Sequence, residues 1–372
     1  MSDNIMKASR IIFWEPSLSP HKIDLINSIN LIETDIEIIY MSSRGISEQR
    51  KKLGWNEKGY ENCIINPSAE QTNHLMLSDV SDTFHIFSGI KGGDMFENAL
   101  SIAKNNKKIK FAIMSEPRAS EGLKGFLRYL HSWVFEGWLR RQSQFIFAIG
   151  ANGPKWFKSV GYSSQKIRNF AYFISNEKYK SLPVFNNESP VVGYVGRLVK
   201  EKGFHDVLEA SKYQRHIQFK FIGAGKGTNV LTDYSNKYSN IVFGGAVDIS
   251  EIPYEISKMD ILVLPSHTTD DGWGMVVSEA LMAGCYVITT NKVGSSILIF
   301  CDEIGTKVNV GSPEQISEAI GNAIQKGFIS TEMKSRRKQW ALRNLSAENG
   351  ANFLLDTILN RSQKFYFFDK DF

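Results

Sequence analysis

One stretch, residues 257–299, constrains the fold of this chain more than any other. It holds an apolar run at 260–264, a polar loop at 267–271, a Gly272-Trp273-Gly274 turn, an apolar helical segment at about 275–283, and a second apolar run at 286–290. A strand–loop–helix–strand unit of this kind is typical of a parallel sheet, in which helices connect the strands. Because open α/β sheets bind ligands at the carboxyl ends of their strands, we expect the loop to hold a site.

Two carboxylates flank the turn. Asp271 directly precedes it, and Glu279 lies eight positions later on the predicted helix. Glycines let backbone N–H groups approach a bound molecule, and the amino end of a helix favours an anion. Carboxylates accept hydrogen bonds from hydroxyls while amides hold phosphate, so the pattern predicts a site for a sugar joined to a nucleotide. The alternative is an ordinary capped surface helix with two solvated acids.

A second motif follows the apolar run at 191–195. It is Gly-Arg-Leu-Val-Lys-Glu-Lys-Gly at 196–203, in which Arg197 and Lys202 supply two cations. Fixed cations stabilise the charge that develops on a leaving diphosphate. The glycine-rich turn at 223–227 lacks the spacing of a P-loop, and the first half of the chain lacks G-x-G-x-x-G, so a dinucleotide redox site is not expected.

The two motifs carry a family resemblance. The pattern D-G-W-G-x-V-V-x-E-A-x-x-x-G, which begins at Asp271, resembles the acidic-x7-Glu motif of retaining, GT-B-fold glycosyltransferases of family 4, and 196–203 resembles their G-R-x-x-x-x-K-G signature. The first acid of that family is usually Glu; the DGWG form resembles a branch that makes bacterial surface polysaccharides. The resemblance implies an α/β, GT-B architecture of two Rossmann-like, doubly wound domains facing across a cleft. It also implies retaining transfer of a hexose from a nucleotide sugar, UDP- or GDP-linked, to an acceptor hydroxyl.

The resemblance also implies roles for single residues. Arg197 and Lys202 would neutralise the donor diphosphate, Glu279 would accept from the ribose, and Asp271 would hold hydroxyls of the donor sugar. The residues expected to line the donor are Gly196, Gly223, Gly225, Gly272, Trp273, Gly274, Met275 and Val276. No metal and no other cofactor is expected, because the two cations offset the diphosphate charge. The chain departs from the family at Leu298, where many members have an acid.

An acceptor region is predicted in the first half. The apolar run at 109–114 ends in Ser-Glu-Pro-Arg, and the segment that follows resembles the G-x-K-G-x-x-R pattern that the family branch has beside its acceptor. Glu116 stands where many family members have a His, and we predict a catalytic role for it. The acceptor-side residues are predicted to be His21, Arg118, Lys124 and Arg128. An ordinary helix start with a surface ion pair, and a solvated His21, are the alternatives.

Residues 104–168 are strongly basic, with about 13 Lys and Arg against 3 Asp and Glu. A basic field of this kind predicts a polyanionic partner, such as anionic lipid or a lipid-linked pyrophosphate, or else a solvated face with no partner. Aromatic and basic residues interleave along a predicted helix at 122–141, which suits either a membrane interface or packing in the core. Nucleic acid is not expected, because no recognised binding module accompanies the charge.

The length of 372 residues suits two domains. A polar stretch at 174–189 predicts the linker between an acceptor domain, 1–186, and a donor domain, 187–346; a helix within 347–372 is predicted to cross back to the first domain. No run of apolar residues is long enough to span a membrane, no signal-peptide pattern precedes Glu15, and the three cysteines match no metal or disulfide spacing. We therefore expect a cytoplasmic protein, peripheral at the inner face of the membrane.

The acceptor implied by the branch resemblance is a lipid-linked glycan for O-antigen, capsule or exopolysaccharide. Other functions stay open from the sequence. A sugar-phosphate glycosyltransferase would share the donor motifs and use a soluble acceptor, and a nucleotide-sugar epimerase would need no acceptor. A catalytically dead, nucleotide-sugar-binding scaffold is the alternative outside enzymes, suggested by the departures at Asp271 and Leu298.

Overall fold

The computed structural model describes residues 8–51, 63–269 and 272–372, without the side chains of residues 20, 21, 49 and 50. The described chain forms two compact units. The first runs to Ser175 and includes Ala347–Phe367, and the second comprises Asn176–Ser346 and Phe368–Phe372. Residues 176–186, assigned from the sequence to the first domain, therefore cluster with the second unit, and the helix after residue 346 clusters with the first.

The first unit is built on a parallel sheet that, in the described residues, has seven strands in the order β3-β2-β1-β4-β5-β6-β7. The strands are β1 (Arg10–Glu15), β2 (Glu37–Ser42), β3 (Cys63–Ile65), β4 (Thr83–Ser88), β5 (Lys110–Ser115), β6 (Phe145–Ile149) and β7 (Ile167–Phe170). Its helices are α1 (Pro20–Ile32), α2 (Glu48–Lys51), α3 (Ala69–Leu77), α4 (Asp94–Asn105), α5 (Gly122–Phe135), α6 (Gly137–Gln142), α7 (Gly153–Ser159) and α15 (Ala347–Ile358).

The central strands of this sheet form because their apolar runs are continuous, as parallel strands buried on both faces require. The ring of Phe87 on β4 packs edge-on against Phe96 of α4 at 5.6 Å and against Phe111 of β5 at 5.8 Å. The last helix of the unit, α15, adds to this core, since Phe353 stacks on Phe170 of β7 at 6.2 Å. A Cβ at Gly350 would lie 2.4 Å from the ring of Phe173, so glycine allows this close approach.

The helix predicted at 122–141 is interrupted. The structure ends α5 at Phe135 and begins α6 at Gly137. Glu136, between them, is buried, forms an ion pair with Arg118 at 2.9 Å and accepts from the hydroxyl of Tyr162 at 3.0 Å. The chain turns Glu136 inward to meet these two partners, and Gly137 has no side chain to resist the break. The prediction of one continuous helix was therefore wrong at this position.

The second unit repeats the design with a parallel sheet that, in the described residues, has six strands in the order β10-β9-β8-β11-β12-β13. The strands are β8 (Val191–Val195), β9 (Gln218–Ile222), β10 (Ile241–Phe243), β11 (Ile261–Leu264), β12 (Tyr286–Thr290) and β13 (Gly305–Val308). Its helices are α8 (Glu177–Lys180), α9 (Phe204–Ala210), α10 (Thr228–Lys237), α11 (Ile252–Ser257), α12 (Met275–Ala283), α13 (Pro313–Gln325) and α14 (Thr331–Asn344), with 3-10 turns at Lys200–Lys202 and Gly294–Leu298.

A buried ion pair closes the amino end of this second sheet. Lys334 of α14 lies 2.8 Å from the carboxylate of Asp260, which also accepts from the backbone amide of Val191 and the side chain of Asn187. Both charged side chains are almost fully buried, so each depends on the other for its charge to be tolerated. This pairing leaves the opposite, carboxyl edge of the sheet as the end at which loops are available for ligands.

Candidate active site

The donor-site residues predicted from the sequence lie at the carboxyl edge of the second sheet. The loops after β8, β9 and β11 all leave this edge, and β8 lies between β9 and β11. The chain order reverses at β8, and open α/β sheets bind ligands at such a switch point. Arg197 follows β8, Gly223 follows β9, and the turn at 272–274 follows β11.

Backbone contacts hold the loops after β8 and β9 together. The amide of Leu198 donates to the carbonyl of Ala224 at 2.9 Å. A Cβ at Gly223 would lie 1.9 Å from the carbonyl oxygen of Gly196, and one at Gly225 would lie 2.6 Å from that of Leu198. The predicted glycines therefore allow two neighbouring loops to touch through their backbones, which leaves no room there for a side chain.

The two predicted cations lie on the loop after β8. Arg197 is exposed, and its backbone carbonyl accepts from the hydroxyl of Tyr194 at 2.8 Å, so the position of the backbone does not depend on the guanidinium. Lys202 is half-buried in the 3-10 turn Lys200–Lys202. Both cations thus belong to a short loop that is anchored through its backbone at the switch point.

A contact that the sequence did not reveal ties the β8 loop to the β11 loop. The ring of His267 lies 2.6 Å from the carboxylate of Asp206 on α9, and its backbone amide donates to the carbonyl of Glu201 at 2.8 Å. Gly203 has a φ of +71°, and a Cβ there would lie 2.2 Å from the carbonyl oxygen of Pro265. Because Asp206 and His267 are 61 residues apart, no local pattern pointed to the pair.

The glycine turn is anchored by its tryptophan. The Trp273 side chain is 1% exposed, and its Nε1 donates to the hydroxyl of Ser278 at 2.9 Å. The carbonyl of Trp273 accepts from the amide of Ser295 at 2.7 Å, and Gly274, with φ +81°, caps α12. The side chain of Trp273 therefore fixes the turn. Met275 and Val276, which are half-buried, begin α12. Asp271 lies outside the described residues.

Glu279 on α12 is paired with a tyrosine from outside the motif. Tyr179 of α8 is buried and hydrogen-bonds to the Glu279 carboxyl. Removal of water from the carboxylate raises the pKa of Glu279 to about 7, although the hydrogen bond from Tyr179 and the charge of Lys178 lower it. Glu279 therefore changes its charge near neutral pH, which the sequence alone did not indicate.

We expect the affinity for a nucleotide to depend on pH through Glu279. An ionised carboxylate accepts from ribose hydroxyls more strongly than a neutral one, so affinity should rise as the pH passes through about 7. Tyr179→Phe removes a hydrogen bond that favours the ionised form, and the midpoint should therefore move to higher pH. Calorimetric titration with UDP and with GDP, on both sides of pH 7, measures the shift.

Stability should show the opposite trend. The folded pKa of Glu279 lies above the ordinary value of 4.5, so the folded state holds the proton more tightly. That contribution is complete below pH 4.5 and is lost as the pH rises through about 7, and Glu279→Gln should remove it. The matched control for Tyr179→Phe is Tyr213→Phe, because Tyr213 donates to Glu314 at 3.2 Å on an exposed surface. If both tyrosine variants moved the pH midpoint of nucleotide affinity equally, that midpoint would not belong to Glu279.

The predicted acceptor-side residues fall in the first unit. Glu116, just after β5, accepts from the hydroxyl of Tyr172 at 2.9 Å. Arg118 is held by Glu136 and Ser132, so it anchors the loop before α5 onto that helix. Lys124 is exposed, and Arg128, also exposed, donates to the carbonyl of Ala119 at 3.0 Å. The side chain of His21 lies outside the description.

A buried charged cluster at the carboxyl edge of the first sheet was missed. Lys22 of α1 lies 2.6 Å from the carboxylate of Glu15 at the end of β1, and both are almost fully buried. The hydroxyl of Ser88, at the end of β4, hydrogen-bonds to both. The burial of the Tyr172 hydroxyl, and the nearby carboxylates of Glu116 and Glu15, raise the pKa of Tyr172. The sequence offered one signal, a lysine within an otherwise apolar helix face.

The described part of the chain has neither a metal-binding cluster nor a membrane-spanning helix. Within residues 8–51, 63–269 and 272–372, no group of three or more His, Cys, Asp or Glu side chains could hold a metal ion. Among the helices of that same part of the chain, none combines the length and the apolar character that crossing a membrane would require.

Comparison with known proteins adds to this geometry. Residues 175–341 match the sequence model of the family described as Glycosyl transferases group 1. The capsular polysaccharide biosynthesis glycosyltransferase CapM of Staphylococcus aureus is 33% identical over 156 residues, which are 40% of this chain and 39% of CapM. The lipopolysaccharide core biosynthesis glycosyltransferase LpsE of Rhizobium meliloti is 24% identical over 43% of this chain and 47% of LpsE. The chain thus matches less than half the length of each of these relatives.

Solved structures share the whole fold. The Anabaena protein Alr3699/HepE in complex with UDP has a TM-score of 0.69 at 15% identity, over 94% of this chain and all of that one. The lipopolysaccharide outer core galactosyltransferase WaaB gives the same TM-score and identity over 95% of this chain and all of its own. The α/β, GT-B fold predicted from the sequence is confirmed. The resemblance to group 1 glycosyl transferases is confirmed as well, because residues 175–341, which carry the β8, β9 and β11 loops, match the model of that family.

Proposed function

We propose that this protein is a retaining glycosyltransferase. It moves a hexose from a nucleotide sugar, UDP- or GDP-linked, to a hydroxyl of a lipid-linked glycan in bacterial surface polysaccharide biosynthesis. The observation that carries the proposal is the joining of the β8, β9 and β11 loops at the switch point of the second sheet. Arg197 and Lys202 lie on that edge, and Glu279 lies on α12, which begins there. The names of CapM and LpsE, which refer to capsule and lipopolysaccharide, support the choice of acceptor class.

The proposed mechanism assigns the charge of the leaving group to fixed cations. Arg197 and Lys202 neutralise the diphosphate as the glycosidic bond breaks, and the amides of residues 272–276 at the start of α12 add donors for phosphate and sugar oxygens. Glu279 accepts from the ribose hydroxyls, and Asp271 holds hydroxyls of the sugar. The diphosphate takes the proton of the incoming hydroxyl on the same face, so the anomeric configuration is retained and no metal is needed.

Complexes of the structural neighbour HepE with UDP and with UDP-glucose support a nucleotide-sugar donor. In the first unit, Glu116 is proposed to orient the acceptor hydroxyl, because the hydrogen bond from Tyr172 fixes its carboxylate at the carboxyl end of β5. This is the same edge of the first sheet that holds Glu15 and Lys22. A cytoplasmic protein at the inner face of the membrane would meet both substrates, since nucleotide sugars and lipid-linked glycans occur together there.

A two-part experiment tests the proposal. Calorimetry with UDP, GDP, ADP and CMP, and with the corresponding nucleotide sugars, should find one class that binds. Arg197→Ala should weaken the binding of that class. The protein is then incubated with that nucleotide sugar and with membrane extract from a strain that makes the surface polysaccharide. It should transfer hexose to a lipid-extractable product, and the new linkage should keep the anomeric configuration of the donor. Epimerisation of the donor without transfer would establish the nucleotide-sugar epimerase. Transfer only to soluble sugar phosphates would establish the sugar-phosphate glycosyltransferase. Binding without turnover would establish the catalytically dead scaffold.

A further inference from the structure

Helix α5 presents large apolar side chains to solvent. Seven of them are between 42% and 76% exposed: Leu123, Phe126, Leu127, Leu130, Trp133, Val134 and Phe135. Single exposed apolar residues are common on protein surfaces, but contiguous ones mark interaction sites. We call these seven side chains the α5 apolar face. The alternative that the aromatic stripe of this helix packs in the core is therefore wrong for these residues.

An ordinary surface helix turns its apolar stripe toward the core, whereas α5 turns its large apolar side chains toward solvent. Its apolar residues recur at positions 123, 126, 127, 130 and 134, which is the spacing of one continuous stripe. The buried residues of α5 are small, Gly125 and Ser132. A Cβ at Gly125 would lie 2.1 Å from the backbone of Ser120, so this side of the helix is packed tightly against the chain. The large apolar side chains consequently point away from the unit to which the helix belongs.

Positive charge borders the α5 apolar face. Lys124, Arg128 and Arg141 are exposed, and Arg140 lies over the ring of Trp133 at 5.4 Å. The only acid in residues 122–142 is Glu136, which is buried and paired with Arg118. Within α5 and α6, the described residues therefore combine exposed aromatic and aliphatic groups with cations, and neither helix has an exposed carboxylate. An exposed acid, Glu121, caps the amino end of α5.

We propose that the α5 apolar face docks onto the interface of an anionic lipid bilayer. Aromatic and aliphatic side chains on one stripe enter the boundary between headgroups and acyl chains, while bordering cations meet lipid phosphates. A second copy of the chain is disfavoured as the occupant, because two such faces would bring like charges together. The docking itself is argued from the α5 surface, and only its role rests on the proposed function. Because α5 begins shortly after the Glu116–Arg118 segment, docking would hold that segment beside a lipid-linked acceptor.

Vesicle flotation tests the inference. The intact protein should float with vesicles of phosphatidylcholine containing about 30% phosphatidylglycerol, and poorly with phosphatidylcholine alone. Raising the salt from about 0.05 M to about 0.5 M should weaken binding by about tenfold or more, since it screens the cations. The double variant Phe126→Ser with Leu130→Ser should lose at least about tenfold in bound fraction. Brominated acyl chains should quench the fluorescence of the intact protein, and Trp133→Phe should remove most of that quenching.

A matched control uses exposed apolar residues on other helices of the same unit. Leu31→Ser with Leu77→Ser removes two side chains, on α1 and α3, that are 82% and 53% exposed, against 56% and 42% for Phe126 and Leu130, and should leave flotation unchanged. Circular dichroism and thermal midpoints verify that each variant folds. Nucleotide binding, which the proposed function places in the second unit, separates this inference from that function, because the α5 changes should not affect it. Failure of the intact protein to float at low salt would overturn the inference. So would equal flotation of both double variants, or a dimer that the α5 changes dissolve without any vesicle binding.

Discussion

Arg197→Ala is expected to lower kcat by about 100- to 1000-fold, the usual cost of removing one fixed donor from a developing negative charge. The loss should fall mainly on kcat, because the charge on the diphosphate is greatest as the glycosidic bond breaks. Stability should change by less than about 0.5 kcal/mol, since the guanidinium is exposed and the hydroxyl of Tyr194 holds the backbone of the loop. Initial rates over a range of donor concentrations, with thermal midpoints of the same preparations, measure both effects.

Two further variants make the Arg197 experiment specific. Arg197→Lys keeps the charge but loses the planar fork that grips two phosphate oxygens, and should give an intermediate rate. Arg215→Ala removes an arginine that is equally exposed but lies before β9, at the opposite end of the sheet, and should retain full activity. If Arg197→Ala and Arg215→Ala had the same small effect, Arg197 would have no role at the diphosphate.

The sequence was informative wherever a property is local. Buried parallel strands are short apolar runs, and the loops that leave their carboxyl ends carry glycine and charge, so both sheets and the donor edge were predictable from residues such as Gly196 and Arg197. The strand β3 and the helix α3 were missed, because residues 41–80 are polar and lack a clear period. The break at Glu136 was missed for a different reason, since it depends on partners 18 residues earlier and 26 residues later.

Pairs formed by distant residues were beyond local patterns. Tyr179 meets Glu279 across 100 positions, and His267 meets Asp206 across 61. Periodicity found the stripe on α5 but could not say which way it faces, because core helices and interfacial helices share the same spacing. The orientation became clear only from the structure, in which Gly125 and Ser132 are buried and the large apolar side chains of α5 are exposed.

Gly294→Ala is expected to damage both the donor site and the stability of the second unit. A Cβ at Gly294 would lie 1.8 Å from the carbonyl oxygen of Gly272 and 3.0 Å from the Cα of Trp273, and backbone atoms cannot yield as a flexible side chain can. The turn would have to move, although the amide of Ser295 holds it through the carbonyl of Trp273 at 2.7 Å. We expect a loss of about 3 kcal/mol in unfolding free energy, at the upper end for overpacking. Urea titration measures it.

Donor affinity should fall with stability in this variant, by at least about tenfold, because displacing the turn at 272–274 misplaces the amides that begin α12. Gly321→Ala is the matched control: it lies within α13, and its Cβ would come no closer than 3.9 Å to a neighbouring atom. There the added methyl group should stabilise the helix by about 0.5–1 kcal/mol. If Gly294→Ala unfolded and bound the donor like the wild type, the loop after β12 would not support the turn at 272–274. Loss of donor affinity without loss of stability would place the effect on the turn alone.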